Sequence, residues 1–210
     1  MPESTAKSRT STRKPSSPTK RSGSNASTTA PSSAATRQGA EATQREHAES
    51  GFVASAELVR NLQQVHVDLI ELHLQGKQAH WNVVGTNFRD LHLQLDEIVE
   101  SAREFSDVIA ERLRALHAVP DGRSSTVSST TSLPQYPNGE VATSETVNLI
   151  VERLETTVAT MRDVHDQVDE EDPTTADLLH EVIATLEQYA WMVGAENRAP
   201  STNATTSAKR

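Results

Sequence analysis

His80 to Glu111 reads HWNVVGTNFRDLHLQLDEIVESAREFSDVIAE. Between Asn87 and Leu116 apolar residues recur at Phe88, Leu91, Leu95, Ile98, Ala102, Phe105, Ile109, Leu113 and Leu116. That spacing is the stripe of an amphipathic helix. Five residues able to hold a hard or borderline metal ion sit in the same stretch: His80, His92, Asp96, Asp107 and Glu111. Four ride on the helix, and His80 lies just before the turn that leads into it.

His92 and Asp96 are one turn apart, as are Asp107 and Glu111, so each pair can converge on one small target. Asp107 follows Asp96 by eleven residues, about three turns, so both pairs share a face. They are also separated by roughly 16 Å along the axis. One metal cluster cannot touch both pairs of the same helix. A helix packed antiparallel against its own copy brings the first pair of one chain to the second pair of the other. An isologous dimer supplies such a shared site twice. A lone helical histidine is usually structural, and an i,i+4 His/carboxylate pair is often a surface contact. Five ligand types in mutual phase favour the metal reading. Imidazole and carboxylate without thiolate suit iron and tolerate zinc or manganese.

His80-Trp81-Asn82-Val83-Val84-Gly85, then Leu91-His92 and Asp96, resembles the signature of the Dps proteins, the dodecameric branch of the ferritin-like superfamily. Asp107-Val108-Ile109-Ala110-Glu111-Arg112 with Pro120 downstream matches the second signature segment. The resemblance covers roughly residues 58–197. Ser106 stands where an apolar residue is usual, and His117 where a glycine usually ends the helix. The resemblance implies two Fe(II) per site, held by His80, His92, Asp96, Asp107 and Glu111 and oxidised preferably by hydrogen peroxide. It further implies ferric mineral stored in a homododecameric shell built from two-fold dimers, with protection of DNA from oxidative damage. Trp81 adjoins a ligand; it can serve both as a sink for stray oxidising equivalents and as a core or interface anchor, the latter being its main energetic role.

The tail before this domain is of another kind. Residues 1–40 carry Lys7, Arg9, Arg13, Lys14, Lys20, Arg21 and Arg37 against Glu3 alone, a formal +6, so the remainder holds −15 of the total −9. Residues 1–50 are Ser, Thr, Ala, Pro, Lys and Arg with little that is apolar and bulky. They cannot bury enough surface to offset ordering entropy and are expected to be disordered. A weak helix over 40–49 is the exception considered. The seven cations could bind nucleic-acid phosphates without reading sequence. Alternatively the tail is a solvated extension that controls solubility or assembly. It lacks aromatics for stacking on single strands.

The rest of the chain predicts an all-α, ferritin-like four-helix bundle over 51–197, with a long crossover between the second and third helices and a frayed tail over 198–210. The first helix spans about Ser55 to Asn82 on Leu58, Leu62, Val65, Leu69 and Leu72, with Gly76 and Ala79 permitting close helix approach. His66, His73 and His80 recur every seven residues, but a rise of about 10 Å per interval rules out shared ligation. They read as two ordinary surface or interface histidines and one ligand. Pro120-Asp121-Gly122 is expected to stop the second helix. The polar stretch 118–142 is too long for an up-down hairpin, and the resemblance places a short helix within it, near 124–132.

Thr143 or Ser144 is expected to cap the third helix, whose stripe is Val147, Ile150, Leu154, Val158, Met161, Val164 and Val168. Asp169-Glu170-Glu171-Asp172 follows. Asp172 caps the last helix, with Pro173 at its first position. The acidic cluster is either a cap or the lining of a cation pore, where the resemblance places Asp172 and Asp177. Leu179, Val182, Ile183, Leu186, Ala190 and Val193 form the final core face. With aromatics at 3%, Leu, Val and Ile must fill the core.

No run of 18 apolar residues spans a membrane, and no apolar leader is seen. There is no cysteine, hence no disulfide framework, which fits a reducing cytoplasm; association with the nucleoid follows if the tail binds DNA. Three functions remain open: a ferroxidase that stores iron, a nucleoid-compacting protein acting through its tail, and a bundle filled by structural metal.

Overall fold

The structure is a computed structural model and describes residues 51–200. The tail expected to be disordered, the helix considered over 40–49 and the seven tail cations lie outside those residues. Five helices follow in order: α1 (Ala56–Asn82), α2 (Phe88–Ala115), α3 (Ser124–Thr130), α4 (Thr143–Glu171) and α5 (Pro173–Ala195). The four long ones form the bundle, and α3 lies in the crossover. Among the described residues no helix is long and apolar enough to cross a membrane.

The apolar stripes explain the packing. Leu58, Leu62, Val65, Leu69 and Leu72 of α1 are buried against Leu91, Leu95, Ile98, Ala102, Ile109 and Leu113 of α2 and the facing rows of α4 and α5. Among the described residues, no Phe, Tyr or Trp belongs to the fully buried core. Phe88, first of the expected α2 stripe, departs from it: it is largely exposed and its ring packs on His92, with centroids 5.1 Å apart.

Helix ends differ from expectation in two places. α2 stops before Pro120 is reached. The His117 N–H bonds the Arg114 carbonyl at 3.1 Å and the Ala118 N–H bonds the Leu113 carbonyl at 2.9 Å. These are the paired bonds of a Schellman motif, and they need a left-handed residue; His117 supplies it at φ 63°. The third long helix is preceded by Ala142 as its N-cap, with no side-chain cap, so neither Thr143 nor Ser144 caps it. Ala142 is taken by an unexpected two-strand ladder. β1 (Val83–Val84) and β2 (Val141–Ala142) pair in parallel, Val83 opposite Val141. This ties the α1–α2 turn to the start of α4. At the other end Ser55 caps α1 through the Leu58 N–H at 3.1 Å, close to where the helix was expected to begin. Its own N–H and hydroxyl both donate to Glu171, each at 2.6 Å.

Polar side chains hold the crossover. The fully buried Asp68 accepts from the Ser132 N–H at 2.8 Å, from Thr160 at 2.8 Å and from Thr131 at 3.1 Å. Arg153, 1% exposed, donates to Gln75 at 2.5 Å and to the carbonyls of Pro134 and Gln135 at 3.2 and 2.9 Å. An unpaired buried charge would cost several kcal/mol, so these contacts fix the path of the chain between α3 and β2.

Candidate metal centre

α1 and α2 pack closely because Gly76 presents no side chain to Val99. That close approach lets the turn after Asn82 bring His80 beside His92. The rings stack, with centroids 3.6 Å apart. His80 Nδ1 lies 3.0 Å from the His92 carbonyl, and His92 Nδ1 lies 3.0 Å from the His80 carbonyl. A carbonyl only accepts, so each Nδ1 carries the proton and each Nε2 keeps a free lone pair. Backbone contacts of this kind set the tautomer and orientation of metal-binding histidines. Two imidazoles are thereby prepared as ligands.

Asp96 lies one turn on. Its Oδ1 accepts from Lys77 Nζ at 2.5 Å and lies 3.3 Å from His80 Nδ1. The Lys77 hydrogen bond holds this carboxyl below its usual range. Both contacts fall on one oxygen, and among the described residues the other makes no hydrogen bond. Lys77 escaped the sequence reading; its position three residues before His80, on the same face, is the signal that could have found it.

Asp107 and Glu111 lie further along α2, both exposed. Among the described residues no three His, Asp or Glu side chains of the single chain are placed to hold a metal. The exposed apolar residues nearby, Leu74, Trp81, Val84, Phe88, Leu93 and Val108, run over the same two helices and the β1 turn between them. Trp81 is 67% exposed, so it does not anchor this chain's core.

A ferritin-like domain model matches residues 59–198. The DNA protection during starvation protein of Agrobacterium fabrum is 32% identical over 143 residues, covering 68% of this chain and 88% of that protein. The chain belongs to the Dps branch of the ferritin-like family. A second Dps relative, DNA protection during starvation protein 2 of Deinococcus radiodurans, is 36% identical over 137 residues; the match covers 65% of this chain and 57% of the relative's length. Dps from Microbacterium arborescens, solved in the high iron form, superposes with a TM-score of 0.65 at 31% identity, covering 70% of this chain and 98% of that one.

The other positions that the Dps resemblance marks are dispersed. Asp172 is buried at the α5 N-cap. Instead of capping a backbone N–H, its carboxylate accepts from Arg112 at 2.6 Å and from the Thr175 hydroxyl. Burial opposes its ionisation, but those hydrogen bonds prevail and hold it below the usual carboxylate range. Asp177 has a side chain 86% exposed. His66 is not a surface residue: it is buried, with Nδ1 3.0 Å from the Ser106 carbonyl, and burial pushes its pKa down.

Proposed function

We propose that the chain oxidises Fe(II), preferably with hydrogen peroxide, at sites shared between two copies, and stores ferric mineral in a dodecameric shell that protects DNA. The observation that carries this reading is the reciprocal bonding of His80 and His92, which turns both Nε2 atoms into ligands beside Asp96. In the proposed dimer α2 packs antiparallel on its copy, so Asp107 and Glu111 of the second chain complete the site. The exposed apolar residues around it are the surface that such a partner would cover.

Iron is the substrate. Carboxylates favour Fe(III) over Fe(II), while neutral imidazoles hold iron weakly enough for it to move on. Two Fe(II) per site give up one electron each. Hydrogen peroxide takes both electrons and two protons, its O–O bond breaks, and two waters form, so no hydroxyl radical is released. Trp81, exposed beside His80, would take up stray oxidising equivalents. Of the two acids proposed for a cation pore, Asp177 is free to face solvent, whereas Asp172 is already paired with Arg112. An acidic body would raise the local Fe(II) concentration at such an opening.

Mixing of variants tests the shared site. His92→Ala and Glu111→Ala damage opposite halves of each site. A heterodimer of the two has one doubly damaged and one intact site, so stopped-flow oxidation of Fe(II) by peroxide should recover to about half the native rate per dimer. Verified heterodimers that stay inactive would refute the assignment.

A second activity rests on the tail, whose seven cations stand against one anion in residues 1–40. Twelve copies on one particle would bind DNA with avidity and without sequence preference.

A further inference from the structure

Far from the α1–α2 site in sequence, the α4–α5 hairpin brings a second pair of histidines together. His165 Nε2 and His180 Nε2 lie 2.7 Å apart, and the ring centroids 4.6 Å apart. The outer nitrogens face carboxylates: His165 Nδ1 is 3.2 Å from Asp166, and His180 Nδ1 is 3.7 Å from Asp177. A carboxylate at Nδ1 favours the proton there. The neutral rings then aim two Nε2 lone pairs at each other, an arrangement in which neither can donate. A proton shared between them or a metal ion beside them resolves that opposition.

A cavity of about 280 Å³ opens against the pair, with Arg162 and Glu187 on its wall. Glu187 is bound by Arg162. With Asp166 and Asp177 the surroundings carry two net negative charges when the imidazoles are neutral. The room beside the rings suffices for waters to complete a coordination shell.

We propose that His165 and His180 form a second metal site, separate from the shared site, that takes one borderline divalent transition cation such as Zn(II) through the two Nε2 atoms. Imidazole ligands suit Zn(II), Cu(II) and Ni(II), and carboxylates behind each Nδ1 are the usual outer partners of metal-bound histidine. Two protein ligands leave the remaining positions to water, so binding is reversible.

Equilibrium dialysis of the full chain against Zn(II) tests this. His92→Ala with Glu111→Ala removes ligands from the shared site and provides the background. That protein should bind about one Zn(II) per chain, and adding His165→Gln with His180→Gln should abolish it while particle mass and helical circular dichroism stay unchanged. His180→Gln alone replaces a side chain 59% exposed, so it spares the core should the double change disturb folding; its Zn(II) affinity should fall at least tenfold. Uptake should also decline in acid, because metal-binding imidazoles must be deprotonated. Unchanged Zn(II) stoichiometry in either histidine variant overturns the proposal. So does a background protein that binds none, which would leave a shared proton as the bridging cation.

Discussion

Gly76→Ala should separate α1 from α2 at the level of the proposed shared site. A Cβ at Gly76 would lie 2.9 Å from Val99 Cγ2, against about 3.5–4.0 Å for a favourable carbon contact. Relief requires roughly 0.6 Å of movement. Val99 is buried and, as a β-branched helical residue, is largely confined to one rotamer, so the backbones must part. Overpacking costs about 1–3 kcal/mol, while alanine in a helix regains about 1 kcal/mol over glycine. The expected net loss is about 1 kcal/mol. Gly76 lies one turn before His80, so the parting also stretches the two 3.0 Å bonds between His80 and His92, and peroxide-driven Fe(II) oxidation should slow. Thermal unfolding of Gly76→Ala, Val99→Ala and the double variant measures the coupling. The double variant should be more stable than the two single losses add up to, by about 1 kcal/mol. A Gly76→Ala protein at least as stable as the native one, with no coupling to Val99, would refute the argument.

Acid should weaken the fold before its carboxylates protonate. Burial lowers the pKa of both His66 and His73 from 6.5, so their contribution is complete above about pH 7 and is lost as the pH falls through their folded values; melts between pH 8 and 5 should show this decline, reduced in His66→Gln. Deleting residues 1–40 should abolish shifts of duplex DNA at low salt while leaving Fe(II) oxidation intact; full-length binding should weaken steeply with salt. If full-length protein shifts no DNA even at low salt, the tail has another role. Trp81→Phe should leave the oxidation rate within about twofold but increase hydroxyl radical captured by a spin trap.

Much of this was legible because helical phase is written directly in the spacing of residues. The stripes of α1, α4 and α5 and the shared face of the two ligand pairs follow from a rise and a rotation per residue. The features missed are tertiary. Nothing in Val83-Val84 or Val141-Ala142 alone reveals a ladder 58 positions apart, and that ladder leaves the capping place to Ala142. Asp172 could be placed at a helix start, but its pairing with Arg112 depends on how α2 meets α5. His165 and His180 share no helical period. They face each other because they stand at nearly equal distances from the α4–α5 turn, a near-symmetry that only an assumed hairpin makes visible. His117 was noted as an odd residue for a helix end, and the structure places it in the left-handed conformation that glycine would adopt without strain.

The anchored crossover bears on how copies of this chain associate. A long connection between two helical hairpins is a natural hinge for exchange, in which α1–α2 of one molecule joins α4–α5 of another. Such an exchange re-forms every contact between the hairpins but not those made by a hinge that must straighten. Here the hinge is bonded to both hairpins: Asp68 of α1 and Thr160 of α4 meet at Ser132, while Gln75 and Arg153 hold Pro134. Swapping forfeits these bonds to the crossover, which strips Asp68 of Thr131 and Ser132 and strips Arg153 of the Pro134 and Gln135 carbonyls. The same side chains that route the crossover therefore keep each bundle made from a single chain, so that subunits meet as closed units.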